Sequence, residues 1–484
     1  MGTRPTPAIP QKLVPISAQK NSFMRKQVRN LDYVFSPSSI AIVGASKNPK
    51  KVGHAILRNL IQAGFSGSLY PVNPSEDSIL GLKTFKKISE IKKSVDCAII
   101  ATPANTVYEI LKDALKANLK AAVVISGGFA EVGNKKEEQK IAALANAHDI
   151  ALIGPNCMGI LCPEFKNDSI FLPTFKLGRP HQGDISFISQ SGAVGGCIVD
   201  LAAKSSLGIS KFVSYGNAAC INEADLLQYL QKDENTKAVI SYIEGVQDGR
   251  KFMQAASSFT SKKPLVVLKA GKSKLGSQAA LSHTAALAGS SKIFSAALNQ
   301  CGAIEAQNLD ELFHLAKILQ ISKFFSPRLC ILTNGGGNGV LAADAVEKYG
   351  MKLSDFSPQI SASLKKCLPS YANVKNPLDI IGDADAHRYE SALNLLIENP
   401  STDAIVVIIL FQTPNLDSRI VSVLSQARAK TKKPIVAVCT GGEYTQMHAK
   451  MLDDYGIPTY PSPEDAISAL SKMLKFNVSS HTGG

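Results

Sequence analysis

The chain has 484 residues, 45% of them hydrophobic and 19% charged, with a formal net charge of +14. That length suggests about three domains, and the composition is that of a globular protein, not a fibrous or disordered one. No apolar run reaches the roughly 18 residues of a membrane span, no secretory h-region opens the chain, and the nine cysteines form neither a CxxC pair nor a His/Cys cluster. A membrane role, a disulfide framework and a zinc site are therefore not expected, no metal ligand is assigned, and a reduced, cytoplasmic setting is expected.

The positive charge invites a nucleic-acid reading, and its distribution argues against one. Residues 1–30 hold six Lys/Arg and no acid, so much of the excess belongs to a basic tail. That tail is expected to be disordered. A transit peptide is the alternative reading, weakened by two early prolines. The chain has no tryptophan and no interleaving of aromatic and basic residues of the kind that stacks bases.

From there on, short apolar strands alternate with amphipathic helices, the pattern of parallel α/β sheets. A first unit, 31–160, reads as strands at 39–43, 68–72, 95–100, 121–125 and 151–153, with helices near 53–63 and 106–117. A second, 180–322, has strands at 183–188, 237–243 and 264–268. A third, 326–476, has strands at 329–333, 404–410 and 434–438. The stretches 155–182 and 321–328 read as linkers.

In the first unit the loop Gly44-Ala45-Ser46-Lys47 follows a strand and precedes a helix, where doubly wound domains bind nucleotides. It is not GxGxxG, since no third glycine has the right spacing. The second strand ends in Pro71-Val72-Asn73-Pro74, without the acid that holds an NAD ribose. Lys47, Lys50 and Lys51 suit an additional phosphate, so coenzyme A or NADP fits better than NAD. An NADP-dependent oxidoreductase is disfavoured because no hydride-site constellation accompanies the loop.

The second and third units share a strand, a turn of glycine and small polar residues, and a helix. The turns are Ser189-Gln190-Ser191-Gly192-Ala193 and Asn334-Gly335-Gly336-Gly337. Such turns aim backbone N–H groups and a helix N-terminus at an anion above the sheet. Two other matches fail. Gly271-Lys272-Ser273 resembles the end of a P-loop, but Val266 stands where glycine is needed. Ser189 stands where the first glycine of a nucleophile elbow should be.

His283 lies among small residues and hydroxyls in 278–289. No acid occurs between Asp248 and Glu305, while eight cations do: Arg250, Lys251, Lys262, Lys263, Lys269, Lys272, Lys274 and Lys292. A neutral imidazole in a positive field is suited to attack phosphorus. Each feature alone is equally consistent with an ordinary turn or a packed histidine.

Together, 39–46, 70–74, 153–157, 187–193, 212–217, 282–284, 287–289 and 376–379 resemble the α subunit of ADP-forming acyl-CoA synthetases of the acetyl-CoA type, relatives of succinyl-CoA synthetase. The resemblance covers about residues 30–475. It departs mildly at Ala285 and Asn338, and the tail is outside it. It implies a Rossmann-like CoA-binding domain followed by two flavodoxin-like ligase domains. It implies that His283 is phosphorylated during turnover and that Glu244 holds it. It further implies CoA contacts at Gly44, Ala45, Ser46, Lys47, Asn73, Pro74, Pro103 and Asn156, and phosphate contacts at the two glycine turns. The family's ATP-grasp module finds no room in the three units. The expected partner is therefore a separate ATP-grasp β subunit carrying ADP/ATP and Mg²⁺ in a hetero-oligomer. The other substrates expected are a small acid, CoA and phosphate, with no nucleic acid and no membrane. The rival reading is a non-catalytic, CoA-responsive regulatory subunit.

Overall fold

All five residues of strand β1, Ser39–Val43, are buried, as a strand covered by helices on both faces requires. Each fully buried Ile or Val of such a strand contributes about 1.5–3 kcal/mol. The computed structural model describes residues 25–284, 290–321 and 326–479, without the side chains of 280–284, 475 and 477–479. Most of the basic tail lies outside the described residues. Its last part does not: Lys26–Arg29 is a short helix, and Arg25 pairs at 2.5 Å with Asp225, whose side chain is fully buried. The buried carboxylate and the apolar Val28 and Leu31 fasten this stretch to the body.

The fold is α/β throughout. The first sheet adds β2 (Ser68–Val72), β3 (Cys97–Ile100), β4 (Ala121–Val124) and β5 (Ala151–Ile153). Its order is β2-β1-β3-β4-β5, all parallel. The carboxyl ends of these strands therefore open on one edge, where such sheets take ligands.

The segment read as the first linker is not free chain. It contributes β6 (Ile160–Cys162) and β7 (Asn167–Asp168) to the second sheet, which also contains β8 (Gln182–Ser189), β9 (Ile209–Ser214), β10 (Ala238–Ile243), β11 (Leu265–Lys269) and β12 (Ile304–Ala306). The order is β12-β11-β10-β8-β9-β6-β7, and β6 runs antiparallel to both β9 and β7. The third sheet has β13 (Arg328–Thr333), β14 (Lys352–Leu353), β15 (Leu378–Asp379), β16 (Ala404–Ile408), β17 (Ile435–Val438) and β18 (Thr459–Tyr460). Its path is β14-β13-β16-β17-β18, with β15 beside β13.

The units share cores. One apolar cluster joins Ile40 and Ile153 of the first to Val213 and Val239 of the second. Another joins Ile185 and Leu312 of the second to Ile331 and Ile467 of the third. Between second and third units, buried Lys317 donates to Asp453 at 2.8 Å and to the Thr459 carbonyl at 2.7 Å. Among the described residues no helix is long and apolar enough to cross a membrane.

Candidate functional site

In the first unit the loop after β1 turns at Gly44, whose φ is +89°. A Cβ there would lie 2.7 Å from the Ala101 carbonyl oxygen at the end of β3, so both torsion and space require glycine. The helix Val52–Ala63 begins beside it. A Cβ on Gly53 would lie 2.0 Å from the Gly44 carbonyl oxygen. Gly53 thus supplies the close strand–helix packing that the third glycine supplies in dinucleotide loops, at a spacing the fingerprint does not cover. Asn73 donates to the Ala45 carbonyl at 2.7 Å, which braces the loop against the end of β2.

Pro103 and Asn156 stand at the same edge. Pro103 is the N-cap of the helix Ala104–Ala114, and Asn156 N–H donates at 2.9 Å to Ser126, just beyond β4. Pro74 is exposed beyond β2. Lys47 is already engaged: it pairs at 2.8 Å with Glu76, and the bonded carboxylate raises its pKa. Lys50 and Lys51 are exposed, and among the described residues neither makes an ion pair.

In the second unit the carboxyl ends of β8, β10 and β11 converge on Glu244. The Gln190 side-chain carbonyl accepts the Glu244 N–H at 2.7 Å and the Gly245 N–H at 3.0 Å. From the other flank Lys269 Nζ donates at 2.7 Å to the Glu244 carbonyl. Two side chains from neighbouring strands thus satisfy the Glu244 main chain. The residue is 92% buried, being 8% exposed, and its side-chain Oε2 has no hydrogen-bond partner among the described atoms. A buried carboxylate oxygen costs free energy unless a donor meets it. Burial, the Glu244 charge and a hydrogen bond to the Glu244 carboxylate push the Tyr242 phenol up to about 12, so Tyr242 stays protonated.

The other turn residues are used locally. The Ser189 hydroxyl donates to the Ser191 carbonyl at 2.6 Å, and the Ser191 hydroxyl caps the helix Gly192–Lys204 by accepting the Val194 N–H. The Gly192 and Ala193 N–H groups lie in the first turn of that helix, where the positive helix end favours an anion. In the third unit the Asn334 side chain is tied to the Leu410 N–H at 2.9 Å and its carbonyl at 3.2 Å. Gly335 is the N-cap of Gly336–Lys348 and has no side-chain cap. Gly336 and Gly337 are exposed. The Asp379 carboxylate sits directly over Gly336, 2.7 Å from where a Cβ would be.

His283 is in the last turn of the helix Lys274–Thr284, and its side chain lies outside the described residues. That helix runs beside the turn Ala130–Val132 of the first unit. The turn is tied to the second unit by Asn217, whose amide donates to Glu131 at 2.6 Å and to Glu138 at 2.8 Å. Burial raises the Glu131 carboxyl, but hydrogen bonds from Asn217, Gly128 and Phe129 outweigh it and hold the group below its usual value. Burial dominates at Glu138 and raises it. The sequence reading missed this junction and the Lys269 clamp. Lys269 was visible as one cation among eight, but its burial was not.

Three family models match in succession: a CoA binding domain over 38–163, a succinyl-CoA ligase like flavodoxin domain over 182–319 and a ligase-CoA domain over 329–482. The α subunit of acetate–CoA ligase [ADP-forming] I of Pyrococcus furiosus is 39% identical over 93% of this chain and 98% of its own. An acetate–CoA ligase [ADP-forming] of Methanocaldococcus jannaschii is 40% identical over 93% of this chain and 63% of its own. Among solved structures, acetyl-coenzyme A synthetase 1 of Ca. Korarchaeum cryptofilum, in complex with phosphate and ADP, superposes with a TM-score of 0.88 at 36% identity, covering 93% of this chain and 97% of that one.

Proposed function

The chain belongs to the family of ADP-forming acyl-CoA synthetase α subunits, and on that premise we propose that it is the CoA-binding and phosphoryl-carrying half of an acid–thiol ligase. The complete enzyme interconverts acyl-CoA, phosphate and ADP with the free acid, CoA and ATP. Acetate is the acid named in the relatives and the first to test. The α-subunit naming of those relatives implies a second chain. In our reading that chain is an ATP-grasp β subunit holding ADP and Mg²⁺, and the assembly works in the cytoplasm.

The observation that carries the reading is the Glu244 carboxylate: main chain clamped from both sides, side chain buried, one oxygen without a donor. It suits an imidazole N–H. In the proposed cycle phosphate attacks the thioester carbonyl. The C–S bond breaks, the thiolate takes a proton, and an acyl phosphate forms. A nitrogen of neutral His283 then attacks phosphorus, the bond to the acyl oxygen breaks, and the carboxylate leaves. Glu244 holds the other ring N–H, fixes the tautomer and stabilises the cation that forms. The N–H groups of Gly192 and Ala193, and those of Gly336 and Gly337, hold the transferring phosphoryl group. The first unit holds CoA over Gly44–Ser46. Lys50 and Lys51 are placed for its ribose phosphate, Asn73 braces the loop, and Lys47, Pro74, Pro103 and Asn156 border it.

A non-catalytic CoA-responsive subunit is the weaker reading, because it has no use for a clamped, buried carboxylate with one oxygen left without a donor. The test is ATP formation from acetyl-CoA, phosphate and ADP, with and without the partner subunit. The reading expects ATP only with both chains. Robust synthesis by this chain purified free of any partner overturns the division of labour.

A further inference from the structure

Lys269 is the last residue of β11, level with Ile243 at the end of β10. It is 95% buried, being 5% exposed. Its ammonium donates to the carbonyls of Glu244 and Ala270 and lies 5.6 Å from the centre of the Phe294 ring. Among the described residues no carboxylate is within ion-pair distance of it. A buried cation without a contact counter-ion is costly. Carbonyls and a ring face offset part of that cost, and a nearby anion offsets more. The other charged or titratable groups around the Glu244 strand end are Tyr242 on β10, Tyr215 and Glu223 on the β9 side, and Lys272 beyond β11. None of these is a second anion paired with the ammonium.

We propose that Lys269 is a positioning residue of the reaction: it pins the Glu244 main chain from the β11 side and supplies the buried positive charge that balances Glu244 when the phosphoryl group arrives. This rests on the reading of Glu244 and His283 given above. Burial lowers the Lys269 pKa and the Glu244 charge opposes that, so the two groups sense each other across the strand end. The chain leaving Lys269 runs through Ala270–Ser273 into the helix bearing His283. One residue therefore ties the carboxylate to the base of the histidine's own element.

The test compares Lys269→Met, which keeps length and packing on Phe294 but removes the charge, with Lys269→Arg, which keeps the charge. Both are assembled with the partner subunit, and formation of the acid-labile phosphoenzyme from ATP is followed across pH. Loss of one charge-assisted contact in a buried site predicts a fall of about ten- to a hundredfold in phosphoenzyme formation for Lys269→Met. The acid limb of its pH profile moves to higher pH, because the buried cation at the Glu244 strand end is gone. Lys269→Arg retains the wild-type limb. A Lys269→Met enzyme that melts earlier yet keeps both the rate and the pH profile reduces Lys269 to a structural residue and overturns the proposal. His283→Ala is run beside them. If label persists in that variant, the histidine reading fails first; if it vanishes there while Lys269→Met is unaffected, only the Lys269 proposal fails.

Discussion

The Gln190 side chain and the Glu244 main chain meet at 2.7 Å across the carboxyl ends of two adjacent parallel strands. The contact turns a residue expected to touch phosphate into a brace for the residue expected to hold the histidine. It also explains how Glu244 can be buried without its backbone straining for partners. All the main-chain demand is met from the flanks, and the carboxylate Oε2 is left for another donor.

Glu244→Gln should therefore separate stability from function. It removes a buried charge whose Oε2 has no partner among the described atoms, so thermal stability should hold or rise. Phosphohistidine formation should fall about ten- to a hundredfold, the value of one charge-assisted hydrogen bond. Parallel melts and phosphoenzyme kinetics check both halves. A large loss of stability with unimpaired kinetics is the result that counts against the assignment.

Gly53→Ala places a methyl carbon 2.0 Å from the Gly44 carbonyl oxygen. The backbone must give, at a cost of about 1–3 kcal/mol, and the Gly44 loop moves with it. Calorimetry should show CoA affinity reduced about tenfold or more, since about 1.4 kcal/mol is a factor of ten. Unchanged affinity removes the Gly44 loop from the CoA site.

Lys317→Met leaves Asp453 buried without its cation. Its side chain is 7% exposed, and it pairs with Lys317 at 2.8 Å. Breaking such a pair costs about 3–5 kcal/mol. Because the pair joins the second and third units, denaturant unfolding should split into two transitions in the variant. A single transition at the wild-type midpoint contradicts this role.

Glu223, at the start of the helix Glu223–Lys232, is 3% exposed. Burial, reinforced by Asp225 and Asp248 and opposed by its own backbone N–H and by Lys251, raises its carboxyl from 4.5 to about 7. The unfolded carboxyl ionises at the lower value, so between the two the folded state holds the extra proton and stability falls as pH rises. The contribution is intact below pH 4.5 and lost by about pH 7. Relative to wild type, Glu223→Gln should gain about 3 kcal/mol across that window. A pH-independent difference between the two melting curves argues that Glu223 is ionised throughout.

Much of this was legible in the sequence. Apolar strands such as 39–43 and 404–408 are continuous runs, because parallel strands are buried on both faces, and the sequence reading placed them. The antiparallel pair Ile160–Cys162 and Asn167–Asp168 was not legible: two strands of three and two residues carry no period, and the first of them is held by β9, some fifty residues later. The Gly53 contact escaped because it depends on where the loop returns, not on spacing. Glu244 was found by resemblance alone. Its clamp consists of residues 54 positions before it and 25 after it, a relation set by sheet order. The basic window around His283 was visible, but which of its lysines is buried was not.

The central claim is that His283 carries the phosphoryl group. The most direct measurement is transfer of label from γ-labelled ATP, through the partner subunit, to this chain, followed by acid and base treatment and location of the labelled residue. The account predicts one acid-labile, base-stable phosphoryl group per chain, on His283, absent in His283→Ala. Label retained in His283→Ala, or found on a serine of the 189–191 turn, would contradict it.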